Sequence, residues 1–170
     1  MSARSFSFRA AGSDTVPFVT CWPRYRCHPA LRSGTTEFLL SFPLAVRTHN
    51  GLFFCHSLPT DDEIKNYDFG VFNRALTGPD YKRRTGPVYQ LIWGRKTSPA
   101  GAQAFAQKVG AKLLVTGHQP QESGYAINGP NHLIIASDHN QGVMLSLSLE
   151  DEYDMDGLLG RMRKFVSVAA

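Results

Sequence analysis

The chain has 170 residues, 42% hydrophobic and 19% charged, which is enough to close one core without disulfide or metal staples. That balance excludes wholesale disorder and a pure coiled coil. The net charge of +4 resides in residues 1–36, where Arg4, Arg9, Arg24, Arg26 and Arg32 meet one acid, Asp14. The rest is neutral, with thirteen Lys and Arg against thirteen Asp and Glu, which argues against a nucleic-acid face.

No run reaches the roughly 18 apolar residues of a membrane span, and the arginine-containing start lacks the apolar stretch of a secretory leader. The three cysteines (Cys21, Cys27, Cys55) are odd in number and lack finger spacing, so reduced thiols in a cytoplasmic protein are expected. Residues 1–36 show no helical or strand period and are broken by Pro17, Pro23 and Pro29. They read as an irregular basic extension, of a kind compatible with disorder, ahead of a domain over 37–170.

From Thr36 the pattern sharpens. Glu37–Phe42 predicts a short helix stopped by Pro43. Leu44–Thr48 and Leu52–Cys55 predict two strands joined through Asn50-Gly51, a strong hairpin signal. Residues 56–87 are rich in loop formers, with a helical piece near Asp61–Tyr67. Val88–Trp93 is apolar and fits strand or helix. Ser98-Pro99 opens a helix whose Ala102, Phe105, Ala106 and Val109 share one face, and Gly110 closes it. Lys112–Thr116 reads as a buried strand leading into Gly117-His118. Further strands are expected at Gly124–Ile127, His132–Ser137 and Gly142–Leu149, and a C-terminal helix over Leu158–Val166.

Two histidines share one kind of position. His56 follows the Leu52–Cys55 run, and His118 follows Leu113–Gly117, each just beyond the C-terminal end of an apolar strand. Sheets of α/β proteins concentrate their sites there, and a neutral imidazole can ligate a divalent metal. Gly117 is expected to supply the sharp turn that presents the second ring.

Phe53-Phe-Cys-His56-Ser-Leu-Pro, Leu91-Ile-Trp-Gly-Arg95, Val115-Thr-Gly-His-Gln-Pro120 and Leu133-Ile-Ile-Ala-Ser-Asp138 follow one another, before a last glycine-led strand expected over Gly142–Leu149. In this order, with that closing strand, they resemble the C-terminal half of a calcineurin-like metallophosphoesterase, over about residues 37–150. The resemblance implies a mixed α/β fold: strands of a β-sandwich flanked by helices, the second half of a four-layer architecture. It implies a phosphoric-ester hydrolase in which two divalent ions (manganese, iron or zinc) activate a bridging water. His56 and His118 would be metal ligands, and Arg95 would contact the phosphate.

The N-terminal half of that family supplies Asp-x-His, Gly-Asp-x-x-Asp-Arg-Gly and Gly-Asn-His segments, and residues 1–55 contain none of them. The expectation is therefore an incomplete half-domain, weakly active or inactive alone; the alternative is a non-catalytic remnant serving as a binding or regulatory module. A half-fold is also expected to leave Leu113–Val115 and Leu133–Ile135 with an open edge and an apolar face, inviting self-association.

Other chemistry-bearing residues read as ordinary. His28, His49, His132 and His139 are expected on the surface, as is Lys82-Arg83-Arg84. Glu152-x-Asp154-x-Asp156-Gly157 imitates a calcium loop but has Arg163 at its twelfth position. Cys55 should face away from His56, because strand side chains alternate.

Overall fold

The computed structural model describes residue 38 and residues 40–167. The basic extension over 1–36, Glu37 and Leu39 lie outside the described residues. Of the helix expected at 37–42, Phe38 and Leu40 are helical and Ser41 already turns.

The chain is mixed α/β, as expected. Strands β1 (Ala45–Arg47), β2 (Leu52–Cys55), β3 (Leu113–Thr116), β4 (Tyr125–Ile127) and β5 (His132–Ile135) form one sheet in the order β1-β2-β3-β5-β4. β1 and β2 make the predicted hairpin: Thr48 N–H donates to Leu52 C=O at 2.9 Å, and Gly51 takes φ 92° in the turn. Asn50 does more than turn, since its Nδ2 donates to the Asp151 carbonyl at 2.6 Å and ties the hairpin to the C-terminal region. β2, β3 and β5 run parallel, while β1 and β4 are antiparallel to their neighbours.

The long crossover from β2 to β3 carries the helices. Helix α1 (Asp61–Lys65) begins with a reciprocal Thr60/Glu63 capping box. Helix α2 (Pro87–Trp93) settles the ambiguous apolar run: Gly86-Pro87 supplies an N-cap and a pre-set first turn. Helix α3 (Pro99–Val109) follows its prediction closely. Ser98 Oγ accepts from Gly101 N–H at 3.0 Å, and Gly110 ends it at φ 65°.

Period-two alternation divides the sheet between two cores. Phe53 and Leu114 face the helices, meeting Ile64, Leu91, Phe105 and Val109. Leu52, Leu113, Val115 and Leu133 face the other way, onto Leu158 and Tyr153. The second cover is made by helix α4 (Met155–Gly160) and a two-stranded ribbon of β6 (Val143–Leu145) and β7 (Met162–Lys164).

This corrects the C-terminal prediction. In place of one helix over Leu158–Val166, the helix is earlier and shorter, and Met162–Lys164 pairs with β6. Gly157 and Gly160 weaken helix propensity, whereas pairing places Met162 opposite Leu145 over the core. The expected open edge is corrected too. β3 and β5 each have a strand on both sides and bury their apolar residues; β1 and β4 are the edges.

Phe105 is the centre of the helix-side core. It is fully buried, with ring centroids of Phe69, Phe53, Tyr67 and Phe72 between 5.3 and 6.3 Å away. Phe105→Ala should cost about 3–5 kcal/mol, read as a lowered urea midpoint. A loss below about 1 kcal/mol would mean that these rings do not pack as described.

Candidate functional site

Parallel pairing of β2 with β3 decides where the two histidines go. Cys55 lies opposite Thr116, so both chains leave the sheet at the same end, and Gly117 N–H donates to the His56 carbonyl at 3.1 Å. His56 follows Cys55 directly, and His118 stands one residue beyond Gly117. Their rings meet: His56 Nε2 and His118 Nδ1 are 2.8 Å apart.

The turn differs from the expectation in one respect. Gly117 does not take a left-handed conformation; His118 does, at φ 68°. A non-glycine residue pays for that geometry, and here it swings the imidazole back over the end of β2.

Arg95 joins the pair. Two residues past α2, its Nε–H donates to His118 Nε2 at 3.2 Å. That bond fixes the protons. With Nε2 accepting, neutral His118 carries its hydrogen on Nδ1 and donates to His56 Nε2, which leaves the His56 hydrogen on Nδ1. The three groups form one directional run: guanidinium to imidazole to imidazole. Burial lowers the pKa of His56; burial, then His56, then the Arg95 charge lower that of His118, so both rings stay neutral at pH 7.

Trp93 supplies a wall. Its ring stands edge-on to His118 at 5.7 Å and stacks on Tyr89 at 6.0 Å. The cluster lies at the surface, with His56, Trp93 and Arg95 exposed and His118 half-buried.

The sequence-derived site residues His56, His118 and Arg95 are thus brought together. As placed, the pair does not compose a dinuclear metal centre. The His118 Nδ1 proton is directed at the His56 Nε2 lone pair, so these two nitrogens bond to each other rather than to an ion. Among the described residues, no three His, Cys, Asp or Glu side chains converge. Divalent ions would need carboxylates beyond this set.

No protein-family model and no curated protein matches the chain.

The remaining candidates have other work. Asp154 caps α4 by accepting from Gly157 N–H at 2.8 Å, and Glu152 pairs with Lys112 at 2.7 Å, so the calcium-like run is local structure. Cys55 Sγ contacts the Ser57 carbonyl, and burial pushes its thiol far up and keeps it inert. His139 is exposed on its loop, as are His49 and Lys82-Arg83-Arg84; His28 lies outside the described residues. His132 departs from expectation: it is buried, between Thr116 and Asn128. Trp93 was readable only as a core or pocket-wall residue, because nothing local in the sequence reports the ring it faces. Among the described residues, no helix is long and apolar enough to cross a membrane.

Proposed function

We propose that this chain is a metallophosphoesterase-like module that recognises a phosphate ester through His56, His118 and Arg95, and that the described residues do not hydrolyse it alone. The observation that carries the reading is the hydrogen-bonded run from Arg95 through His118 to His56, beyond the ends of two adjacent parallel strands. Arg95 commits Nε to His118, which orients its terminal Nη groups as a fork for phosphate oxygens. His56 Nδ1–H adds a neutral donor. In finer architecture, three of the four quoted segments follow the adjacent parallel strands β2, β3 and β5 and the fourth lies on α2, an order that supports the second half of a four-layer fold.

The family chemistry would use manganese, iron or zinc to activate water. Two imidazoles without a carboxylate leave that role unfilled, so no hydrolytic step is assigned to these residues. A second reading, a hydrolase completed by further ligands, is favoured by the lowered histidine pKa values, which keep imidazole lone pairs unprotonated at neutral pH.

Calorimetric titration with phenyl phosphate tests the first reading. Arg95→Ala should weaken binding by about tenfold or more, the worth of hydrogen bonds to a charged group. Equal binding by the parent, Arg95→Ala and His56→Ala would remove the site. Hydrolysis of p-nitrophenyl phosphate should stay near background with or without manganese. Robust manganese-dependent turnover lost in His118→Ala would establish the second reading instead. Any manganese binding should require both His56 and His118.

A further inference from the structure

The far edge of the sheet carries a second feature, independent of the histidine site. Among the described residues, β1 has one strand neighbour, β2. The bond from Thr48 N–H to Leu52 C=O fixes the alternation: Val46 exchanges hydrogen bonds with Phe54, and Ala45 and Arg47 turn their N–H and C=O groups away from the sheet. The side chains of these two residues point to the helix side, where they line a cavity of about 340 Å³. Phe53, Phe69 and Phe72 wall it, and Arg47 and Lys108 stand at its margin.

Backbone groups left open by the described residues and a cavity with aromatic walls therefore come from the same three-residue strand. An extended peptide laid along β1 would gain main-chain hydrogen bonds from Ala45 and Arg47, and its helix-side residues would face the cavity. The volume lies at the lower end of what ligand pockets offer, enough for one large apolar side chain.

Charge selects the partner. Arg47 is held in place by its bond from Nη1 to the Val109 carbonyl at 3.0 Å. Neither Arg47 nor Lys108 forms an ion pair with a described residue, and none of the residues lining the cavity is acidic. The chain's own basic residues 1–36 would add positive charge to positive charge. A second copy pairing through β1 would bring two Arg47 side chains to one short ladder. An acidic peptide suffers neither penalty.

We infer that β1 is a docking edge for an extended peptide segment carrying one large apolar residue flanked by acidic ones, which adds a strand beside Ala45–Arg47 and fills the Phe53/Phe69/Phe72 cavity.

The test uses the full 170-residue chain and a fluorescein-labelled heptapeptide, Glu-Asp-Val-Phe-Val-Asp-Glu. Saturable anisotropy is expected, weakened about tenfold or more when the central Phe of the probe becomes Ser, or by Arg47→Glu. Ala45→Pro removes an outward donor while sparing the ladder to β2, and should weaken binding similarly. In case that variant fails to fold, two probes N-methylated on alternate residues leave the protein untouched: one should lose binding and the other keep it. Amide exchange at Ala45 and Arg47 should be fast in the free chain and slow with the probe bound.

Absence of saturable binding, or equal binding by both methylated probes, overturns the inference. Slow exchange before the probe is added also overturns it: if independent of protein concentration, the chain covers its own edge; if concentration-dependent, a second copy does.

Discussion

Replacing Gly94 with alanine is expected to cost about 4 kcal/mol or more, or to prevent folding. Gly94 ends α2, and a Cβ built there would run into the Leu58 carbonyl oxygen and approach the Gln90 carbonyl oxygen at 3.2 Å. Its φ of −68° is ordinary, so the requirement is space, not conformational freedom. Backbone cannot yield as the end of a flexible side chain would, and overpacking of this kind lies at the severe end of single substitutions.

What would be pushed apart is the seam that holds the site. Ser57 is fully buried; its Oγ donates to the Leu91 carbonyl at 2.5 Å and accepts from Gly94 N–H at 3.1 Å. Thr97 Oγ1 donates to the Pro59 carbonyl at 2.7 Å. Through these bonds the segment after His56 is clamped to the segment carrying Trp93 and Arg95. Ser57→Ala is the milder form: it strands a buried N–H and should cost about 1–3 kcal/mol while the clamp partly survives. Urea denaturation reads both, and Trp93 emission in a Trp22→Phe background reads separation of the seam. A Gly94→Ala protein with the parent midpoint and emission would mean that residues 57–59 and 91–97 do not pack against each other.

The local signals were legible wherever one residue type has one physical use. Ser98-Pro99 and Gly110 marked both ends of α3, and Asn50-Gly51 marked the hairpin. The apolar run Val88–Trp93 was ambiguous because a buried helix turn and a buried strand have the same composition; Gly86-Pro87 carried the deciding information. The C-terminal segment departs from the expected helix because Gly157 and Gly160 disfavour a long one and Met162–Lys164 gains a strand partner in β6, while Asp154 caps the short α4. The open edge expected at β3 and β5 failed for another reason. Which strand ends up interior depends on a parallel pairing across more than fifty residues, and no local pattern in Leu113–Thr116 or His132–Ile135 reports it.

The site was legible as positions but not as contacts. That His56 and His118 follow apolar strands is visible in the chain; that those strands are adjacent and parallel is not. Arg95 was nominated for phosphate on its own; its bond to His118 is a contact that no sequence pattern reports. The left-handed His118 could not be foreseen beside a glycine better suited to that conformation. His132 misled in the opposite direction, since a histidine beginning a strand after a turn has no sequence mark of burial.

Burial of His132 leads to the last expectation, a loss of stability as the pH falls from about 6.5 to about 4. The ring is 1% exposed, with Nε2 2.9 Å from Thr116 Oγ1 and Nδ1 3.0 Å from Asn128 Nδ2. Asn128 Nδ2 is a donor, also reaching the Thr97 carbonyl at 2.9 Å, so Nδ1 accepts and the proton sits on Nε2, directed at the threonine hydroxyl. A second proton would place a charge in an apolar strand and set two donors against each other. Burial accordingly lowers the pKa from 6.5 to about 4. The sign follows from proton counting. Between those values the unfolded chain binds a proton that the folded one refuses, so stability is fully present above about pH 6.5. It declines by about 1.4 kcal/mol per pH unit, reaching about 3 kcal/mol at pH 4. His56 and His118 are lowered too and act in the same direction, but their exposure makes their share small. Below pH 4 the loss passes to Asp80, whose carboxyl is held at about 2 by the Arg74 guanidinium, with Oδ1 and Oδ2 at 2.6 and 2.7 Å. Urea midpoints between pH 7.5 and 4.5 test this, with His132→Asn as the comparison. The variant should be less stable at pH 7.5 and should show a shallower decline, so that the two proteins converge as the pH falls. Parallel declines in parent and variant would mean that His132 takes up its proton while folded, and that the acid sensitivity of the fold originates elsewhere.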